Sequence, residues 1–98
     1  ESDVSLVIIG NIEKGARVVS KGNVIVLGMI KGSVSAGVTG DESAVISALE
    51  MEPQQLRIGD HITRYREKNR RSCKDPVMVC VEQGQMMLKP MKKSFVPL

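Results

Sequence analysis

A chain of 98 residues has room for one domain and is too short for two. Only Tyr65 and Phe95 are aromatic, 2 % of the chain, so Val, Ile, Leu and Met must fill the interior and a sandwich anchored on aromatic residues is disfavoured. The formal charge of +3 is uneven: residues 1–60 carry five Lys/Arg against eight Asp/Glu, residues 61–98 nine against three, so a mildly acidic body precedes a basic tail.

No apolar run approaches the roughly 18 residues of a spanning helix, and no signal peptide is visible. Cys73 and Cys80 are too few for a disulfide framework and read as reduced thiols of a cytosolic protein. The chain opens on Glu1, which reads as a piece of a longer polypeptide.

Residues 6–41 organise the rest. After a polar lead-in, the β-branched run 6–9 predicts a short strand, and Gly10-Asn11 a corner. Ile12 points inward before Glu13-Lys14-Gly15 turns again; 16–19 is the next strand and Ser20-Lys21-Gly22-Asn23 the next corner. Residues 24–27 form the strongest strand, followed by a corner over 28–32 and a small alternating strand over 33–36. Val7-Ile8-Ile9-Gly10 recurs eighteen positions later as Ile25-Val26-Leu27-Gly28, Ile12 and Ile30 keep that offset, and Lys14-Gly15 and Lys31-Gly32 lie seventeen apart. A strand-and-corner unit of this length predicts a right-handed parallel β-helix, a three-sided solenoid. The competing reading is a meander with a hairpin turn at Gly22-Asn23.

Residues 37–42 make a loop, 44–49 another strand, and Leu56-Arg57-Ile58-Gly59-Asp60 a strand ending at a Gly corner, with His61-Ile62-Thr63 continuing it. The expected coils therefore occupy 5–63. Residues 64–75 carry six Lys/Arg without apolar periodicity and read as a solvated linker. Residues 76–90 give two closing strands around a turn at 82–85, a hairpin or final coil over the open end of the solenoid, and 91–98 a tail.

The residues that would carry chemistry are sparse. His61 is the only histidine, and the cysteines lack further ligands at zinc spacing, so no catalytic, cofactor-binding or metal-binding residue is assigned. The glycines show no P-loop spacing and precede no helix, so they read as corners. The basic segment lacks the aromatic platforms of single-strand binders, and no direct nucleic-acid site is expected. What remains is an all-β docking or assembly module, with flat faces suited to an isologous dimer.

One resemblance gives this a direction. Gly10-Asn11-Ile12, Gly15-Ala16, Gly22-Asn23-Val24-Ile25-Val26-Leu27-Gly28, Lys31-Gly32, Ala36-Gly37 and Gly40-Asp41, in that order, resemble the C-terminal domain of the MinC family. The likeness is close over about 6–64 and looser over 76–90. It implies a right-handed parallel β-helix that dimerises, binds the ATPase MinD and, brought by it from the cytoplasm to the inner face of the membrane, helps block FtsZ ring assembly away from the division site. In that family much of the action on FtsZ belongs to a separate N-terminal domain, which this sequence does not contain. The family's domain usually opens on an Arg-Ser-Gly-Gln segment; here the first residues are ESDVSL. By the resemblance, the MinD-facing positions are Gly15, Gly22, Asn23, Lys31, Gly32 and Asp41, with Lys31 meeting an acidic surface, and the dimer face is placed on Val77, Val79 and Val81. The alternative is a self-assembling β-helix of the bactofilin kind. A β-helix acyltransferase is disfavoured, since the hexapeptide repeat and catalytic His are missing.

Overall fold

In the computed structural model, the described residues are 5–65 and 76–91. They form nine strands: β1 Leu6–Ile9, β2 Arg17–Val19, β3 Val24–Ile30, β4 Ser33–Ala36, β5 Ile46–Met51, β6 Gln55–Ile58, β7 His61–Arg64, β8 Val77–Glu82 and β9 Gln85–Pro90. These compose a five-stranded sheet in the order β1-β3-β5-β8-β9 and a four-stranded sheet in the order β2-β4-β6-β7.

Successive strands therefore alternate between the sheets as far as β6. The eighteen-residue offset in the sequence is a parallel register, with Leu6 opposite Val24 and Ile9 opposite Leu27. β2 pairs with β4 rather than with β3, so Gly22-Asn23 is a passage between sheets and the hairpin reading fails there.

The right-handed parallel β-helix is overturned as well. Both sheets are mixed: β7 turns back antiparallel on β6, β8 runs antiparallel to β5, and β9 antiparallel to β8. The corner at Ile12 contributes one isolated parallel bridge, to Ile30 at the end of β3, and Met29 and Ile30 pair in turn with Glu50 and Met51 of β5. Parallel pairing needs a crossover for every added strand, whereas an antiparallel strand needs only a tight turn. Gly59-Asp60 supplies such a turn between β6 and β7. Gln83 and Gly84, with φ of 52° and 75°, supply another between β8 and β9.

The core lies between the sheets and is aliphatic throughout. Val24 stands opposite Ile46 and Val26 opposite Ala48 in one sheet, and Val34 opposite Leu56 and Ala36 opposite Ile58 in the other. All eight are buried in one cluster that also takes in Ile12, Ile30, Met51, Val77 and Val79. At about 1.5–3 kcal/mol for each fully buried Val, Leu or Ile, these ladders are the main stabilising term.

Two features fix how closely successive passes lie. A Cβ at Gly28 would stand 2.1 Å from the Gly10 carbonyl oxygen, so only glycine lets β3 pass beside that corner. There the register with β5 shifts between Val26 and Met29. Each Gly-Asn corner also staples the next pass: the Asn11 Oδ1 accepts the Met29 N–H at 2.8 Å, and the Asn23 Oδ1 accepts the Val45 N–H at 2.9 Å.

Candidate functional site

The six positions expected to face a partner fall into two groups. Gly15, Lys31 and Gly32 share the corner where the chain enters the four-stranded sheet. The Lys31 and Gly32 N–H groups both donate to the Ile12 carbonyl, at 2.8 and 3.2 Å, and the Gly15 N–H donates to the Gln54 Oε1 at 2.9 Å. Gly22, Asn23 and Asp41 lie where β2 and β4 leave that sheet, and the Gly37 N–H donates to the Gly22 carbonyl at 3.1 Å. β2 and β4 are parallel, so the two groups bracket the outer face of the four-stranded sheet from opposite ends. At about 3.3 Å per residue, the four residues of β4 separate them by roughly 13 Å.

Much of what these residues do is structural. A Cβ at Gly32 would stand 2.4 Å from the Ala16 carbonyl oxygen and 2.5 Å from that of Glu13. The side-chain oxygen of Asn23 is engaged by the Val45 N–H. The Asp41 carboxylate accepts the Ser43 N–H and hydroxyl at 2.9 and 2.5 Å, and these bonds, the hydroxyl's first, hold its pKa below the ordinary 3.8. Lys31 is half-buried and makes no side-chain ion pair among the described residues.

Between the two corners the outer face carries two cross-strand rows. One runs Arg17, Ser33, Gln55, Arg64; the other runs Val19, Ser35, Arg57, Ile62. Inward neighbours of these residues, such as Val34, Leu56 and Ile58, are in the core, so the alternation of the strands sends both rows outward. Reading the sequence singled out none of these arginines as a site. Arg64, assigned there to the basic linker, closes β7, and the Tyr65 N–H still donates to the Gln54 carbonyl. The remainder of that linker, 66–75, lies outside the described residues.

The other sheet presents a contrasting surface. Val7, Ile9, Leu27, Leu49 and Met87 are exposed on it, Ile9 by 85 %, and Ile25 and Met78 are half-buried beside them. The dimer face expected on Val77, Val79 and Val81 needs correcting against this. Val77 is 0 % and Val79 3 % exposed, both inside the chain's own core, and Val81 is half-buried against it. A one-residue step along a strand exchanges the two faces, so the outward residues of β8 are Met78 and its alternates.

His61 Nε2 lies 2.9 Å from the Glu42 carboxylate across a corner. No group of three His, Cys, Asp or Glu side chains among the described residues could hold a metal ion. A hollow of about 310 Å³ beside β7 and β9 is lined by Thr63, Tyr65, Val79, Met86, Met87 and Leu88, a mostly apolar set without an acid–base pair. Among the described residues no helix is long and apolar enough to cross a membrane.

Residues 1–91 match the family model described as septum formation inhibitor MinC, C-terminal domain. The probable septum site-determining protein MinC of Agathobacter rectalis is 33 % identical over 97 % of this chain and 43 % of its own length. Its counterpart in Aquifex aeolicus is 40 % identical over 89 % of this chain and 43 % of its own length. Among solved structures, a chain of the MinC:MinD cell division protein complex of Aquifex aeolicus superposes with a TM-score of 0.83 at 36 % identity, covering 95 % of this chain and 80 % of that one. The chain thus spans less than half the length of these curated relatives.

Proposed function

The chain belongs to the family of MinC C-terminal domains, and from that premise we propose that it is a non-enzymatic adaptor that dimerises and binds MinD. MinD brings it from the cytoplasm to the inner face of the membrane, and the assembly helps to keep FtsZ rings from forming away from the division site. The observation that carries the reading is the likeness to a chain of a MinC:MinD complex over 95 % of this one. Contact with FtsZ is assigned chiefly to the part of the longer relatives that this chain does not span.

MinD binding is placed at the two corners, Gly15, Lys31 and Gly32 on one side and Gly22, Asn23 and Asp41 on the other. Lys31 is the residue to test, because the other five positions are glycines or engage the scaffold through hydrogen bonds. Capture of the chain by MinD with ATP is expected, and Lys31→Glu is expected to weaken it several-fold. Failure of both this chain and a longer one carrying the residues upstream of Glu1 would remove the reading.

Self-association is placed on the apolar outer face of the five-stranded sheet. A contiguous patch containing Ile9 and Leu27 is costly to leave in water, and a two-fold pairing of identical faces covers it. Light scattering should give a discrete dimer; an open-ended polymer would favour a filament of the bactofilin kind instead.

A further inference from the structure

The β8–β9 hairpin gathers sulfur on one face. Cys80 stands directly opposite Met87, and Met78, opposite Lys89, lies two residues before Cys80. Val77 and Val79 point into the core and Val81 packs against it, so the alternation of β8 turns Met78 and Cys80 outward together. Directly opposed side chains start about 4.5–5.5 Å apart at Cβ, and residues two apart on a strand roughly 7 Å apart. The three rotatable bonds of methionine span either gap.

Cys80 is a free thiol, 9 % exposed, yet it lies outside the aliphatic core cluster. Lys89 ion-pairs with Glu82, two residues beyond Cys80 on β8, so the lysine stem crosses the Cys80–Met87 row. The Lys89 ammonium is held above its usual pKa of 10.5, first by the bond to Glu82 and in smaller part by the charge of Cys80 beside it. Met78 is half-buried, and Met87 is exposed at the rim. The hairpin's single carboxylate, Glu82, is taken up by Lys89, which leaves sulfur as the donor on offer.

We infer that Cys80, Met87 and Met78 form a site for a soft monovalent cation, Cu(I) by class, with one thiolate and two thioethers as its ligands. Soft sulfur donors select Cu(I), whereas zinc takes four thiolate, imidazole or carboxylate ligands and magnesium or calcium takes oxygens. Among the described residues no group of three His, Cys, Asp or Glu could hold a metal, and this site needs none. Binding exchanges the Cys80 S–H for an S–Cu(I) bond and releases the proton to solvent, and no electron moves. A thiolate with a single positive ion is neutral as a unit, which suits a sheltered position beside the Lys89 ammonium. Neither MinD nor a second copy of the chain is needed to complete the site.

The test titrates the chain with Cu(I) bicinchoninate under anaerobic conditions and reads the chelator's loss of colour. The unmodified chain is compared with Cys73→Ser, Cys80→Ser and Met78→Leu/Met87→Leu. Transfer of one Cu(I) per chain is expected, with sulfur alone bound to it in X-ray absorption. Cys80→Ser and the leucine pair should each weaken binding by at least about tenfold, the loss that follows even from disturbing a ligand's hydrogen-bond partner. Cys73 lies outside the described residues, and Cys73→Ser should bind as the parent does. Leucine conserves the volume of methionine, so that variant should keep the fold, and thermal unfolding checks it. Undiminished binding by the leucine pair would reduce the site to a bare thiol and overturn the inference. So would equal losses at Cys73 and Cys80, or one ion per two chains. Nitrogen or oxygen bound to the metal in the unmodified chain would overturn it as well, whether or not any variant folds.

Discussion

The two sheets share one core and turn opposite chemistries to solvent. On the five-stranded sheet the outward positions include the exposed Val7, Ile9, Leu27 and Leu49; on the four-stranded sheet they are Arg17, Arg57 and Arg64 together with Ser33, Gln55, the half-buried Val19 and the exposed Ile62. Both sheets draw their inward residues from the same aliphatic ladders, so the difference is not needed for folding. It separates two kinds of association. An apolar face gains most by meeting its own copy out of water, and the corners proposed for MinD bracket the other face, whose guanidinium groups are costly to bury unpaired.

The strongest way to break the comparison is to remove what both faces hang on. Ile46→Ala empties a fully buried site of the central strand β5 and should cost about 2–5 kcal/mol. Gly32→Ala pushes a methyl group into two carbonyl oxygens and should cost about 3 kcal/mol or more. Denaturant titration measures both, and each should abolish dimer and MinD capture together. Loss of one association without the other in Ile46→Ala, which is buried in the core and is not one of the corner positions, would argue that the faces do not share the scaffold.

The next effect separates the faces. Leu27→Glu places a charge in the middle of the apolar patch and should weaken the dimer by about 2 kcal/mol or more. Since Leu27 is 46 % exposed, monomer stability should move by no more than about 0.5 kcal/mol. Equilibrium sedimentation reads the first quantity and thermal unfolding the second. An unchanged dimer would move the self-association site off this sheet.

Smaller again is Asn23→Ala, which leaves the part-buried Val45 N–H without its acceptor at a cost of about 1–2 kcal/mol. If MinD capture then falls no further than this lost stability explains, Asn23 is a staple of the corner rather than a contact. The smallest effect is at Asp41. Its pKa is depressed in the folded chain, so it stabilises above the ordinary 3.8 and that contribution fades as pH falls through the folded value. Asp41→Ala should therefore lower stability slightly at neutral pH, with the difference from the parent vanishing in acid. A difference that grew in acid would contradict the assigned hydrogen bonds to Ser43.

What was legible in the sequence follows the length of each pass. β1 and β3 pair eighteen residues apart and share a motif, so that parallel register shows in the chain itself. The next pass sets Val24 opposite Ile46, twenty-two residues on, because the loop over 37–45 is longer, and no repeat marks it. The closing hairpin over 76–90 was legible as one of two readings of that unit, but the antiparallel return at β7 left no sign, since His61-Ile62-Thr63 read as continuing the strand before it, which is why a solenoid was expected. Val77 and Val79 were placed outward because alternation fixes which residues share a face but not which face is the core. Arg17, Arg57 and Arg64 are dispersed along the chain and come into adjacent rows only through strand registers of unequal offset. The Gly-Asn pairs at 10–11 and 22–23 were visible, yet their side chains' work as staples appears only once the neighbouring pass is in place.

The separation of the two faces is tested most directly by size-exclusion light scattering of the unmodified chain, Leu27→Glu and Lys31→Glu, each alone and with MinD and ATP. The account predicts a dimer that joins MinD for the first, a monomer that retains a weakened affinity for MinD for the second, and a dimer that carries less MinD for the third. Loss of the dimer in the Lys31 variant together with full MinD binding, or full MinD binding by all three forms, would contradict it.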